Sequence, residues 1–246
     1  MPESSSPRPA HSPIKELPRY FANERGRRVF LDRLFGETAA DYDFVEKLLG
    51  FGSGPWYRRE ALRRAGLKPG MRVLDVATGT GLVAREAIAL GGRVLGLDPS
   101  AGMLSEAQRL SFPLVRALGE KLPFADASFD FVSMGFALRH VADLDALFEE
   151  IRRVLVPGGV ACVLEITHPR SALAAVPLRL FMSRIVPVVA RLAGRGDAGR
   201  RLMRFYWDTI ESCVAPAAVL DSLERAGLGA RRAVILGIFS EYVAIR

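Results

Sequence analysis

The amino-acid sequence predicts an α/β fold in which helices cover both faces of a doubly wound, mostly parallel sheet. Four short apolar runs alternate with segments that have a helical spacing of apolar residues; the runs are 72–77, 93–98, 129–134 and 159–166. Continuous apolar runs of this length are typical of buried parallel strands. A glycine-rich turn follows the first run and leads into a helix, as in nucleotide-binding sheets of this class.

The remaining elements follow from the periodicity along the chain. Residues 1–27 are rich in serine and proline and have no apolar run, so they are predicted to form a disordered tail before a folded domain of 28–246. A terminal hairpin is predicted from 232–238 and 241–246. The predicted helices, in chain order, are 29–50, 56–65, 82–90, 102–110, 144–155 and 216–226.

The composition limits the classes of protein and of site. With 246 residues, of which 50% are hydrophobic and 25% charged, the chain is long enough for one large domain with a substantial core. Its two cysteines, Cys162 and Cys213, lie far apart, which excludes a CxxC metal or redox site and suits a cytoplasmic setting. Three histidines at unrelated spacings disfavour a zinc site, so no metal is predicted. No run approaches the ~18 apolar residues that a membrane-spanning helix needs.

A basic and apolar insert, residues 170–204, interrupts the alternation of strands and helices. It holds eight arginines and one acid, so its local excess of positive charge equals the net charge of the whole chain, +7. Such a segment suits a helical lid that rests on an anionic membrane surface and admits an apolar substrate. Two alternatives remain open: the insert folds over the core with solvated arginines, or it binds nucleic acid, which its few aromatic residues disfavour.

The glycine-rich turn and a following acid predict a nucleoside site. Asp98 ends the second apolar run nineteen residues after Gly79, and an acid at that place accepts both hydroxyls of a ribose. The turn also fits the loose dinucleotide fingerprint. However, Asp75 lies four residues before Gly79, where its charge would repel a pyrophosphate and attract an ammonium or sulfonium cation. The residues therefore favour S-adenosylmethionine over NAD.

Four segments then resemble the signature blocks of class I S-adenosylmethionine-dependent methyltransferases: VLDVATGTG (73–81), VLGLDPSAGML (94–104), GEKLPFADASFDFV (119–132) and RRVLVPGGVACVLEI (152–166). Two further segments, GETAADYD (36–43) and GFALRHVAD (135–143), resemble the ubiquinone/menaquinone biosynthesis C-methyltransferase family, and this resemblance covers roughly 28–230. It implies a Rossmann-like, seven-stranded sheet with an antiparallel final hairpin. It also implies methylation of a hydrophobic quinol or phenolic ring, with or without a prenyl chain, by S-adenosylmethionine. The alternatives are an O- or C-methyltransferase of secondary metabolism and a cofactor- or nucleic-acid-binding module without enzymatic activity.

The resemblance also implies roles for individual residues. Thr80 contacts the methionine end of the cofactor, Asp98 holds the ribose, and Leu118 and Gly119 flank the adenine. Four residues depart from the family pattern: Leu118 replaces an Asp or Asn, Gly135 a Ser, Ala137 a Gly and His140 an Asn. The full set of predicted cofactor-binding residues is Tyr42, Asp75, Ala77, Gly79, Thr80, Gly81, Asp98, Pro99, Met103, Leu118, Gly119, Glu120 and Gly135.

Arg139 and His140 are the predicted catalytic residues. They follow the fourth predicted strand, at the edge of the sheet where substrates bind in such folds. A ring carbon becomes nucleophilic when an adjacent hydroxyl loses its proton. We therefore expect Arg139 to stabilise the phenolate-like oxygen and His140 to accept the proton, directly or through water. The open alternative is that these polar residues only cap the helix that follows, and Glu165 and Cys162 are assigned to structure.

Overall fold

A computed structural model describes residues 20–21, 23–50, 52–167, 180, 184, 188, 196–211 and 213–246. The strands within these residues are β1 (Arg72–Val76), β2 (Arg93–Leu97), β3 (Leu114–Val115), β4 (Phe129–Gly135), β5 (Leu155–Ile166), β6 (Gly229–Ile235) and β7 (Phe239–Ile245). The α-helices are α1 (Glu24–Leu49), α2 (Gly54–Arg64), α3 (Leu82–Ala89), α4 (Ala101–Ala107), α5 (Leu144–Val154), α6 (Gly196–Glu211) and α7 (Pro216–Arg225).

The strands form one sheet in the order β3-β2-β1-β4-β5-β7-β6. Strands β1 to β5 are parallel to their neighbours, whereas β7 runs antiparallel to both β5 and β6. The predicted doubly wound sheet with an antiparallel terminal hairpin is therefore confirmed. The sequence pattern missed β3, because two residues are too few to produce an apolar run.

Helices cover both faces of the sheet. On one face, α5 and α7 bury Leu147, Phe148 and Leu223 against strand residues such as Val132. On the other face, α2 and α3 pack against the strands through residues that include Leu62 and Ala84. Burial on both faces explains why the central strands are apolar along their whole length.

A third apolar cluster lies between α1 and α6. Leu34 and Val45 of α1 are buried against Leu202, Phe205 and Ile210 of α6. These two helices also contain Phe35, Tyr42 and Tyr206, which line the cavity described below. We call this pair of helices the α1–α6 cover.

The predicted boundary of the N-terminal tail is wrong at its end. Helix α1 begins at Glu24, within the predicted 1–27 tail, because the Asn23 side chain caps it by accepting a hydrogen bond from the Gly26 N–H at 2.8 Å. Tyr20 and Phe21 also pack against the third cluster. Residues 1–19 lie outside the described part of the chain.

Most of the predicted 170–204 lid also lies outside the described residues, which in that interval are 180, 184, 188 and the beginning of α6. In the described parts of the chain, no helix is long and apolar enough to cross a membrane. The same parts contain no group of three or more His, Cys, Asp or Glu side chains arranged to hold a metal ion.

Candidate functional site

A cavity of about 370 Å³ lies where β1, β2 and β4 end, beneath α1. Its size is within the range of small-molecule sites, and its position at the carboxyl edge of a doubly wound sheet is where such folds bind ligands. Residues 76–80, 98–100 and 134–137 line it from the sheet. Residues of α1 and Tyr206 of α6 line it from the other side.

The glycine-rich turn after β1 is shaped by left-handed backbone conformations. Gly79 and Gly81 have φ of +58° and +88°, and Gly81 is the N-cap of α3. A Cβ on Gly81 would lie 2.7 Å from Leu110 Cδ1, so the close packing of the turn also requires glycine there. Gly81 does not line the cavity. Its role is to form the turn, not the contact with the cofactor that was predicted.

Two non-glycine residues that line the cavity also have positive φ. Ala77 follows β1 with φ +52°, and Phe136 follows β4 with φ +59°. Non-glycine residues adopt this conformation rarely and at a cost. Its occurrence at the ends of two adjacent strands, on the wall of the same cavity, indicates a functional site.

Asp98 connects the glycine turn with the start of α4. Its Oδ2 accepts a hydrogen bond from the Gly79 N–H at 2.9 Å, and its Oδ1 accepts one from the Ser100 N–H at 2.8 Å. Burial raises the pKa of Asp98 to about 6, so the carboxylate is ionised at neutral pH. Each oxygen retains a lone pair that faces no backbone donor, and Asp98 lines the cavity. This geometry suits the predicted contact with a ribose.

Asp75 does not meet the cavity, which corrects its predicted role. It lies within β1 rather than in the turn, and it is 1% exposed. Its two carboxylate oxygens accept hydrogen bonds of 2.6 Å each, from the hydroxyls of Thr78 and Ser133. Burial raises its pKa to about 6. Asp75 thus joins the turn to β4 on the side away from the cavity. The structure does not place its charge where it would contact a cofactor cation directly.

The predicted adenine residues lie at one end of the cavity. Leu118, Gly119 and Glu120 all line it. A Cβ on Gly119 would lie 2.8 Å from Leu147 Cδ1, so a larger residue there would require the Leu147 side chain of α5 to move. Glu120 Oε1 accepts a hydrogen bond from the Ala142 N–H at 2.8 Å, which fixes this carboxylate beside the cavity.

At the other end, Thr80 and Gly135 face the cavity from the turn and from β4. The Thr80 hydroxyl donates to Asp43 Oδ1 at 2.6 Å and so connects the turn to α1. A Cβ on Gly135 would lie 2.5 Å from Val83 Cγ2. The neighbouring valine therefore explains why the serine of the family pattern is absent here.

Tyr42 lies on α1 and lines the cavity, as predicted for a residue that covers a cofactor. Its ring packs edge-on against Tyr206, with centroids 6.2 Å apart. Burial raises the pKa of Tyr42, so its hydroxyl stays protonated. Eleven of the predicted cofactor-binding residues line the cavity: Tyr42, Ala77, Gly79, Thr80, Asp98, Pro99, Met103, Leu118, Gly119, Glu120 and Gly135.

Arg139 is not among the residues that line the cavity, so the structure does not bring it to the predicted contact with a substrate oxygen. Its guanidinium forms a buried ion pair with Glu165, and both side chains are 1% exposed. The backbone N–H of Arg139 donates to the other Glu165 oxygen at 3.2 Å, and the guanidinium lies 5.0 Å from the Tyr206 ring centroid. The pair holds the short 3₁₀ helix Leu138–His140 in place.

His140 does line the cavity. Its ring stacks on Phe205 at 5.5 Å and meets Phe35 edge-on at 5.1 Å. Both ring nitrogens are inaccessible and have no hydrogen-bond partner among the described residues. Burial lowers the pKa of His140 well below 6.5, and the charges of Arg139 and Arg27 lower it further. The imidazole is therefore neutral at pH 7 and has a nitrogen that can accept a hydrogen bond.

Arg27 and Arg58 are cavity residues that the sequence pattern missed. Arg27 lies in the predicted tail, yet it is 5% exposed and donates to the carbonyl oxygens of His140 and Val141. Arg58 belongs to α2 and is 1% exposed. The sequence around Arg27 gives no sign that this residue is buried. Arg58 lies on the predicted helix 56–65, four residues before the buried Leu62 and therefore on the same face of the helix, and this spacing could have indicated its burial.

Comparison with known proteins shows the family of the chain. The model of the ubiE/COQ5 methyltransferase family matches residues 22–231. A demethylmenaquinone methyltransferase from Thermus thermophilus is 34% identical over 207 residues, which cover 80% of this chain and 92% of that protein. The ubiquinone/menaquinone biosynthesis C-methyltransferase UbiE of Geobacter sulfurreducens is 35% identical over 201 residues, which cover 76% and 77%.

Solved structures show the same fold. An S-adenosylmethionine-dependent methyltransferase from Thermotoga maritima has a TM-score of 0.62 at 19% identity, covering 87% of this chain and 98% of that one. Another, from Aquifex aeolicus, has a TM-score of 0.56 at 21% identity, covering 76% and 88%. Fold, cavity and sequence agree: the chain is an S-adenosylmethionine-dependent methyltransferase and belongs to the ubiE/COQ5 methyltransferase family.

Proposed function

We propose that this enzyme methylates a ring carbon of a hydrophobic quinol or phenol in quinone biosynthesis. The names of two relatives, a demethylmenaquinone methyltransferase and a ubiquinone/menaquinone C-methyltransferase, support this acceptor class. The observation that carries the proposal is the neutral His140 on the cavity wall. Its two ring nitrogens have no partner among the described residues, and Phe35, Tyr42 and Tyr206 line the same cavity. The hydroxyl group of such a ring can donate a hydrogen bond to one of these nitrogens.

The cavity residues suit S-adenosylmethionine. Asp98 has lone pairs available for the ribose hydroxyls, and Leu118 and Met103 offer apolar surface for the adenine. When bound, the cofactor supplies an electrophilic methyl group on a sulfonium sulfur. The contributions of the protein are then to orient the acceptor, exclude water and hold a proton.

His140 is the residue proposed to hold that proton. Its imidazole accepts a hydrogen bond from the ring hydroxyl and takes the proton as charge moves to the adjacent ring carbon. The same burial and cationic neighbours that keep the ring neutral make the imidazolium costly, so the ring passes the proton on to water once the methyl group is transferred. Arg139 and Glu165 position His140 through the 3₁₀ helix rather than by touching the acceptor.

The α1–α6 cover excludes water from the reacting groups. Phe35, Tyr42 and Tyr206 line the cavity from these helices. In an apolar, water-poor site, an ionising hydroxyl interacts more strongly with its acceptor than it would in bulk water. The same aromatic wall suits a flat ring with an apolar side chain.

The test uses purified enzyme, S-adenosylmethionine and a chemically reduced short-chain demethylmenaquinol, with product analysis by mass spectrometry. The expected product is heavier by one methylene and reoxidises to a quinone, because a C-methylated quinol keeps both hydroxyls. A product that no longer reoxidises is an O-methyl ether, as expected for the secondary-metabolism alternative, and would contradict the proposal.

His140→Ala is expected to lower the turnover number about 10²- to 10⁴-fold, the usual contribution of a general base. Its affinity for S-adenosylhomocysteine, measured by calorimetry, should change less than twofold, because the ring does not hold the cofactor in this proposal. His140→Asn restores the residue of the family pattern and keeps a hydrogen-bond acceptor, so it should retain more activity than the alanine variant. Wild-type turnover in both variants would rule out His140 as the base.

The proposed location is the cytoplasmic face of an anionic membrane, with contact through residues 170–204. The eight arginines of that segment support this contact. Leu180 and Val188, two of its described residues, are 55% and 56% exposed and offer apolar side chains in the same segment of the chain. Flotation with vesicles containing anionic lipid should recover the full chain and lose a variant that lacks 170–195, a deletion that ends before α6 and its buried Leu202. Equal recovery of both proteins would refute membrane contact through this segment.

A further inference from the structure

We infer that Arg58 forms a carboxylate-binding subsite that holds the methionine carboxylate of the methyl donor. The inference deepens the proposed function, on which it rests, by naming the group that recognises the charged end of the cofactor. Neither the sequence motifs nor the comparisons assign this residue. The argument depends on its burial, its unpartnered donors and its position relative to Asp98.

The guanidinium of Arg58 is buried with most of its donors unused. The residue is 1% exposed, and its Nη2 pairs with Glu46 on α1. Its Nε and Nη1 are inaccessible and have no hydrogen-bond partner among the described residues. An arginine cannot lose its charge in a protein, and a buried, unsatisfied donor is costly. An acidic ligand in the cavity would supply an acceptor oxygen to a donor that Glu46 leaves unused.

Other cations on the cavity wall are already engaged. Arg27 donates to the carbonyl oxygens of His140 and Val141. Arg116 donates to the carbonyl oxygen of Pro99 at 2.8 Å. Among the cavity-lining arginines that the structure describes, Arg58 is the one with inaccessible nitrogens that lack a partner. Glu46 satisfies a single nitrogen of Arg58, and its side chain is 22% exposed to water.

Arg58 lies at the end of the cavity where the methionine arm of the cofactor would reach. Its guanidinium carbon is 5.5 Å from the ring centroid of Phe136, which directly follows β4. Asp98 directly follows β2, and β1 lies between β2 and β4. Two strand spacings separate these ends by about 10 Å. A nucleoside held by its ribose at Asp98 therefore directs an extended amino-acid arm across β1 towards Arg58.

A carboxylate on the aromatic acceptor is a second source of the same chemistry, and the experiment separates the two. Calorimetry compares S-adenosylhomocysteine with its decarboxylated analogue, which keeps the ammonium group. The proteins are the wild type, Arg58→Met and Arg58→Lys. Arg59→Met is the matched control, because Arg59 stands on the same helix, pairs with Glu86 and does not line the cavity. Circular dichroism confirms that each variant is folded.

Wild-type enzyme should bind S-adenosylhomocysteine about 10- to 100-fold more tightly than the decarboxylated analogue, the usual strength of hydrogen bonds to charged groups. Arg58→Met should lose that preference and bind both ligands about equally, Arg58→Lys should keep part of it, and Arg59→Met should keep all of it.

Equal affinity of the wild-type protein for the two ligands would overturn the inference, even if Arg58→Met does not fold. An undiminished preference in folded Arg58→Met would overturn it too. If that variant instead lost only turnover with a carboxylated acceptor, the subsite would belong to the acceptor and the cofactor assignment would be wrong. Failure of the wild-type protein to bind S-adenosylhomocysteine at all would refute the proposed function itself.

Discussion

Exchange of Glu165 for glutamine is expected to lower the free energy of unfolding by about 3–5 kcal/mol, because it leaves a buried guanidinium without a counter-charge. Both side chains of the Glu165–Arg139 pair are 1% exposed, so water cannot replace the lost carboxylate. Glu165 also accepts hydrogen bonds from two backbone N–H groups, of Ile166 at 2.8 Å and Arg139 at 3.2 Å. Glutamine keeps one acceptor oxygen, so at least one of these bonds is lost as well.

Urea unfolding followed by circular dichroism measures this effect. The decisive control is the double variant Arg139→Met with Glu165→Leu, which replaces the ion pair by apolar side chains. It should recover to within about 1–2 kcal/mol of the wild type, because a buried ion pair contributes little compared with well-packed apolar groups. The reasoning would be refuted if Glu165→Gln cost less than about 1 kcal/mol, or if the double variant were no more stable than the single one. Arg139 would then be available for a catalytic role.

Three further predictions concern the cavity and its cover. Gly135→Ser should lower the free energy of unfolding by about 1–3 kcal/mol, because the Cβ of the serine would lie 2.5 Å from Val83 Cγ2. The second substitution Val83→Ala should restore the stability, as measured by thermal melting. A double variant as unstable as Gly135→Ser would contradict the packing explanation. Calorimetry should show the affinity for S-adenosylhomocysteine falling as the pH drops through about 6, because protonation of Asp98 removes an acceptor from the ribose; a flat profile would exclude that contact. Arg27→Met should cost about 1.5–3 kcal/mol in urea unfolding, the usual strength of hydrogen bonds to a charged group, whereas the exposed control Arg33→Met should cost under about 0.5 kcal/mol. Equal losses in these two variants would show that the contacts of Arg27 do not stabilise the fold.

Local patterns in the sequence were sufficient to predict the sheet and the edge of the sheet at which the cavity lies. The strands are long apolar runs, and the turn needs glycine where the backbone is left-handed, as at Gly79. Asp98 was recognisable because its proposed role depends on its place at the end of a strand, and the end of the apolar run 93–98 indicates that place. These features depend on short stretches of chain, so the sequence alone could reveal them.

Other features depend on contacts between distant parts of the chain. Arg139 and His140 are adjacent on a 3₁₀ helix, where successive residues point about 120° apart, so one can face the core and the other the cavity. The sequence does not say which, because the answer depends on Glu165, 26 residues later. Arg27 is buried because it donates hydrogen bonds to carbonyl groups more than 100 residues away in the sequence. Its sequence neighbours, Gly26 and Arg28, give no indication of this burial.

Two of the side-chain contacts that attach helix α1 to the enzyme lie far apart along its length. Arg27 binds the segment that carries His140, and Asp43 accepts the hydroxyl of Thr80 in the glycine turn. At 1.5 Å per residue these attachments are roughly 24 Å apart. Because a helix is stiff, a displacement of α1 at one of these contacts also displaces it at the other. Sequence changes near the start of the helix should therefore alter nucleoside affinity without replacing any residue that touches the nucleoside.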